Sequence, residues 1–251
     1  MSLAGRCILV TRPAAQAAGL CALIAQAGGR ALALPMLEIL PVADPQPLRA
    51  ALAQATRCDA VIFTSVNALE QALLAGGARW PGRVYCIGAA TAAAVRRAGL
   101  PPPVAPAVDY SSEGLLALPE LQGLPDQRVL LVTGEGGRSA LEQTLRARGA
   151  EVIRANAYRR RPLPHPEALV RSTLIQADSA VVTSGETLER LLQAAPPDLR
   201  EALVRLPLVV PSARVLQMAR ARGFTAAMRV AQPLSDDGIV RALTEIPARA
   251  R

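Results

Sequence analysis

The residues best suited to chemistry in this chain are hydroxyls and glycines that follow short aliphatic runs. Six such turns occur, at Thr11-Arg12, Thr64-Ser65, Gly88-Ala89-Ala90-Thr91, Thr133-Gly134, Thr183-Ser184 and Pro211-Ser212. An Ala-, Leu- or Arg-rich stretch with helical spacing follows each turn. The first N–H groups of a helix have no internal partner and carry the positive end of its dipole, so such turns can hold carboxylates or phosphates with neutral donors. The same side chains are also ordinary helix N-caps, and Asn67 with Glu70 has the spacing of a capping box. For any single one of Ser65, Ser184 and Ser212, capping is the simpler role.

Other chemistries are excluded by what the chain lacks. It contains no lysine, so all 28 basic residues are arginine, and no Schiff-base, pyridoxal or P-loop lysine exists. The one histidine, His165, lies between Pro164 and Pro166, and Cys7, Cys21, Cys58 and Cys86 show no CxxC spacing. Neither a zinc set nor a Cys/His nucleophile pair is indicated, and no metal or cofactor is expected. A net charge of +8 attracts polyanions. Aromatic residues make up only 2% of the chain, too few for the stacking platforms of a single-strand binder, so no nucleic-acid partner is expected. The longest apolar runs, such as 85–95, fall short of the roughly 20 residues of a membrane span, and the start MSLAGRCILVTRP has no secretory apolar region. The expectation is a cytoplasmic protein without membrane contact.

The elements that must position these turns alternate: an aliphatic run, a Gly/Ser/Thr turn, then a helix. Strands are expected at 7–11, 31–35, 60–64, 84–87, 129–133, 151–155, 180–183 and 208–210, and the alternation argues for α/β architecture with parallel sheets. The pattern also repeats. CILVTRPAAQAAGLCALIAQAGGRALAL resembles VLLVTGEGGRSALEQTLRARGAEVIRA, pairing Thr11 with Thr133, and DAVIFTSVNALEQAL resembles SAVVTSGETLERLL, pairing Ser65 with Ser184. RVYCIGAATAAAVRRAGL matches LPLVVPSARVLQMARARGF, and YSSEGLLAL matches LSDDGIVRAL, pairing Gly114 with Gly238. The offsets of these residue pairs are 122, 119 and 124. Four blocks in one order at nearly constant offset describe a duplicated unit, hence two similar small α/β domains with a ligand cleft between them. The repeat leaves their boundaries open, since a contiguous split near residue 125 reads equally well.

LVTRP, LPMLEI, VIFTSVNAL, CIGAATA, SSEGLL, VLLVTGEGGR, the tyrosine of ANAYRRRP and VVTSGETLERLL together resemble the uroporphyrinogen-III synthase family nearly from end to end. The resemblance implies two parallel-sheet α/β domains joined by a two-stranded linker. Residues 1–37 with 160–251 would form the first domain, 42–155 the second, and 36–42 with 155–161 the linker strands. It implies a lyase of heme and tetrapyrrole biosynthesis that closes hydroxymethylbilane, with loss of water and inversion of ring D, through a spirocyclic pyrrolenine. It further implies a monomer that binds a polycarboxylate small molecule and makes transient contact with hydroxymethylbilane synthase.

Carried over by that resemblance, Tyr158 matches the family tyrosine and is the candidate donor of a proton to the leaving hydroxyl, since a phenol is protonated at neutral pH. Thr91 falls on the family's Gly-x-x-Thr-Ala turn and is the second candidate catalytic residue. Candidate substrate contacts are Arg12, Thr64, Ser65, Gly88, Ala89, Ala90, Arg138, Ser184 and Ser212. Arg159 joins Arg12 and Arg138 as a possible two-pronged carboxylate partner. The second copy of the Gly-x-x-Thr-Ala turn reads VPSARV, without the threonine. That departure leaves open a degenerate synthase that binds tetrapyrrole without turning it over. The run VLLVTGEGGRSA nearly spells a dinucleotide fingerprint, but the next strand, EVIRANAY, lacks an acid at its end to hold a ribose. Two α/β lobes also describe solute-binding proteins and sensors, for which neither a signal peptide nor a DNA-binding motif speaks.

Overall fold

The structure, a computed structural model, describes residues 2–77, 80, 82–107, 109–137 and 139–249. In chain order the strands are β1 (Cys7–Val10), β2 (Arg30–Ala33), β3 (Leu37–Pro41), β4 (Ala60–Phe63), β5 (Arg83–Cys86), β6 (Pro103–Val104), β7 (Arg128–Gly134), β8 (Glu151–Pro162), β9 (Ser179–Val181), β10 (Leu208–Val210) and β11 (Met228–Val230). The helices are α1 (Ala14–Gln26), α2 (Gln46–Leu52), α3 (Val66–Leu74), α4 (Ala89–Arg97), α5 (Ser112–Leu116), α6 (Ala140–Ala147), α7 (Glu167–Gln176), α8 (Gly185–Ala194), α9 (Arg200–Val204), α10 (Ala213–Ala221) and α11 (Asp236–Glu245). No helix among the described residues is long and apolar enough to cross a membrane.

The chain divides into two units, Met1–Glu38 with Arg161–Arg251, and Ile39–Arg160. The first holds a fully parallel sheet of order β11-β10-β9-β1-β2. Its strands are buried on both faces, which is why they read as continuous aliphatic runs. Ile8, Val10, Val181 and Val209 point to one side, against Leu20 and Ile24 of α1 and Ile239 and Leu243 of α11. Leu9, Ala180, Leu208 and Val210 point to the other, against α7, α8 and α10 through Leu174, Leu191 and Val215.

The second unit repeats the plan. Its sheet runs β3-β8-β7-β4-β5-β6, and the four pairs from β8 to β6 are parallel. Val61, Phe63, Leu130 and Val132 pack under α2, α3 and α4, whereas Ile62, Tyr85 and Leu131 pack under α5 and α6. The unit boundaries fall inside β3 and β8, which are hydrogen-bonded neighbours.

Pairing the repeated blocks makes β7 the counterpart of β1, β8 of β2, β4 of β9 and β5 of β10, with β6 and β11 following. Both sheets then have the same order, the doubly wound 2-1-3-4-5 arrangement. The five-stranded sheet takes two strands from the first repeat and three from the second, whereas the six-stranded sheet takes four from the first, β3 included, and two from the second. Folded units and sequence repeats therefore do not coincide.

Most strand boundaries lie within two residues of those read from the sequence. The exception is β8, which continues to Pro162 instead of ending at 155. The aliphatic pattern missed β3, where the resemblance alone implies a strand, as well as the two-residue edge strand β6 and the three-residue edge strand β11.

Candidate active site

In a doubly wound sheet, ligands bind at the C-terminal strand ends where successive connections turn opposite ways. In the second unit that point lies between β4 and β7, where Thr64 and Thr133 meet, Oγ1 to Oγ1, at 3.1 Å. Thr64 Oγ1 also donates to the carbonyl of Val132 at 3.3 Å. Ser65 follows and caps α3, its Oγ accepting from the N–H of Ala68 at 3.1 Å. Asn67, whose spacing to Glu70 suggested a capping box, is instead the second residue of that helix, because Ser65 holds the extended backbone that a cap requires.

Tyr158 reaches the same point from β8. Its hydroxyl accepts from Ser65 Oγ at 3.3 Å and from Arg160 Nη1 at 3.4 Å, and the Arg160 guanidinium lies 5.7 Å from the ring centre. Tyr158 as a whole is only 6% exposed. Its placement depends on a bulge: Thr133 pairs with Asn156, but Gly134 pairs with Tyr158, so β8 carries one extra residue there. Such an insertion re-aims the side chains beyond it. Gly134 is the residue that makes room, since a Cβ there would lie 2.7 Å from Tyr158 Cζ and 3.0 Å from Arg160 Nη1.

Beside this cluster, α4 begins at Ala89 with Gly88 as its N-cap, a residue without a side chain to cap the first N–H groups. Gly88 and Ala89 are half-buried and Ala90 is exposed, whereas Thr91 is buried at 5% exposure. A hollow of about 420 Å³ runs along α4, lined by Ala89, Ala92, Arg96 and Tyr110 among others. Burial pushes the Cys86 thiol at the end of β5 up to about 12 despite the opposing charge of Arg96, which disfavours the thiolate.

The first unit offers a different set at its own strand ends. Thr11 is fully buried and donates to the carbonyl of Val181 at 2.8 Å. The guanidinium of Arg12, expected to meet substrate, pairs with Asp236 at the N-terminus of α11 and donates to the carbonyl of Gln16. Ser184 caps α8, accepting from the N–H of Thr187 at 3.0 Å, and Ser212 caps α10 through the N–H of Val215 at 3.4 Å. The backbone carbonyl of Pro41 accepts from Arg159 Nε in the second unit. Arg138 lies outside the described residues.

Structure thus brings Thr64, Ser65 and Tyr158 together in one unit and assigns Arg12, Ser184 and Ser212 to the other. Sequence reasoning named Gly134 only as part of a turn and passed over Arg160 and Asp236. Arg160 had a readable signal, its position two residues from Tyr158 on one strand, which puts both side chains on the same face. At the opposite strand ends, Asp59 and Asp178 each accept a backbone N–H from the neighbouring strand at 2.8 Å, from Arg128 and Cys7 respectively. These two aspartates are counterparts in the duplicated blocks and serve the sheets.

Two doubly wound units with hydroxyls at the C-terminal ends of their strands define a duplicated α/β protein. The family model described as Uroporphyrinogen-III synthase HemD matches residues 19–240. The chain is 35% identical to the uroporphyrinogen-III synthase of Salmonella typhimurium and 32% identical to that of Escherichia coli, in each case over 94% of this chain and 99% of the relative. A crystal structure of a mutant uroporphyrinogen III synthase from Thermus thermophilus shares the fold, with a TM-score of 0.65 at 22% identity over 96% of this chain and 98% of that one. The chain belongs to the uroporphyrinogen-III synthase family.

Proposed function

We propose that this protein closes hydroxymethylbilane into uroporphyrinogen III, working as a cytoplasmic monomer. Family membership across 94% of the chain carries the reading, and the Tyr158 hydroxyl at the second unit's switch point supports it. The substrate's acetate and propionate groups are held by backbone N–H groups of the helix N-termini, at Gly88, Ala89 and Ala90 above all, with Thr64, Ser65, Thr91, Ser184, Ser212, Arg12 and Arg138 contributing donors.

The pyrrole nitrogen's lone pair expels the hydroxyl, whose carbon–oxygen bond breaks as Tyr158 delivers its proton, so that water leaves and an azafulvenium cation remains. Ring D then attacks through its substituted carbon, giving the spirocyclic pyrrolenine, which fragments and recloses with ring D reversed. Loss of the α-proton from ring D restores aromaticity and returns a proton to the Tyr158 oxygen. The substrate drives much of this itself, so the protein's main contribution is orientation.

A coupled assay tests the proposal by generating hydroxymethylbilane in situ, oxidising the products and separating the type I and type III uroporphyrins. Type III that depends on this protein is the expected result. Type I alone from folded protein rejects the enzyme, and tetrapyrrole binding by that inactive protein would point to a degenerate synthase, the reading that the VPSARV block favours.

A further inference from the structure

Among the described residues, both side-chain partners of Tyr158 Oη donate to it. Arginine has no acceptor. Ser65 Oγ already accepts from the N–H of Ala68, and its own proton goes to Tyr158. The phenol's lone pairs are thus engaged by the protein, and its own O–H proton is directed elsewhere. Arg160 is in turn held in place: its Nη2 donates to the carbonyl of Glu135 at 3.1 Å, and the N–H of Glu135 donates to the carbonyl of Tyr158 at 2.7 Å. This makes a closed circuit from the Tyr158 backbone, through Glu135 and Arg160, back to the Tyr158 hydroxyl.

We propose that Arg160 is a positioning residue for Tyr158, holding the phenol oxygen so that its proton points at the departing hydroxyl and placing a fixed positive charge beside the phenolate that forms. This rests on the synthase reading above. In that step the Tyr158 O–H and the substrate carbon–oxygen bonds break, the proton forms an O–H bond of the departing water, and the developing phenolate lies beside a group that stays protonated throughout. A role confined to packing would predict loss of stability with no link to the phenol.

The test is a double-mutant cycle on the full chain, with kcat and KM measured by substrate disappearance and with product isomers separated. Arg160→Met should lower kcat about tenfold while KM stays within about twofold, as expected for losing one hydrogen bond that matters most in the transition state. Arg160→Lys, which keeps the charge and one donor, should recover part of that loss. In a Tyr158→Phe background the Arg160→Met change should have no further effect on kcat. Equal losses in both backgrounds, or a change in KM alone, would overturn the inference and leave the synthase reading intact. Wild-type protein that makes no type III product overturns both. Should Arg160→Met fail to fold by circular dichroism, Arg160→Gln, which retains N–H donors without the charge, completes the same cycle.

Discussion

Gly134 shows how much the site depends on single residues. The tyrosine ring and the Arg160 guanidinium occupy the space that any side chain at 134 would need. Gly134→Ala is therefore expected to push the phenol off its hydrogen bonds, cutting synthase turnover about tenfold and destabilising the protein by roughly 1–3 kcal/mol, as overpacking does. Assay and thermal melt together check this, and a variant with normal turnover would show that the phenol does not need its observed position. Residue by residue, hydroxyls were the easiest features to find in the sequence and the hardest to assign. Ser65, Ser184 and Ser212 all cap helices, and only Ser65 also touches the tyrosine. An N-cap and a ligand donor have the same local signature, so only the neighbour across the sheet distinguishes them.

At the scale of elements, α6 is tied to β8 by Glu142, which accepts from Arg154 at 3.0 Å and from Arg146 at 3.1 Å. Burial pushes the Glu142 carboxyl up, but the two arginines outweigh it and hold the group below its ordinary value of 4.5. A carboxyl depressed in the folded state adds stability that is fully present above its unfolded value and is lost as pH falls through the folded one. Thermal stability should therefore drop below about pH 4.5, and in Glu142→Gln that acid limb should be shallower by about 2–4 °C in Tm, as melting curves from pH 7 to pH 3 would show. Identical acid limbs in the two proteins would remove Glu142 as a cause. The sequence showed the long buried strands well because both faces are covered and nearly every position is aliphatic. It did not show β6 or β11, whose few residues include Pro103 and Arg229 and sit at sheet edges where burial does not constrain side-chain type. Nor did it show the bulge at Gly134, since one extra residue in a strand leaves no mark on composition.

For the whole molecule, the exchange of strands between repeats makes a prediction about fragments. Residues 39–160 contain β4 to β8 and both clusters that cover their sheet. That segment should fold alone, giving a cooperative melt and dispersed amide resonances. A fragment cut at the repeat boundary, residues 1–125, should not: it lacks β9, which lies between β1 and β10, and β7, which lies between β4 and β8. Cooperative folding of 1–125 with disorder in 39–160 would contradict the observed pairing.

The sequence by itself determined the parallel α/β class, the duplication, the hydroxyl-bearing turns at the strand ends and the absence of lysine. All of these follow from residue type and from periodicity along the chain. Tertiary structure alone decided which repeat contributes which strands to a sheet, that Tyr158 meets Ser65 and Arg160, and that Arg12 pairs with Asp236, 224 residues away. Those outcomes depend on contacts between segments far apart in the chain. A repeat with nearly constant offset is compatible with either strand partner, and the choice falls to the packing that closes each core.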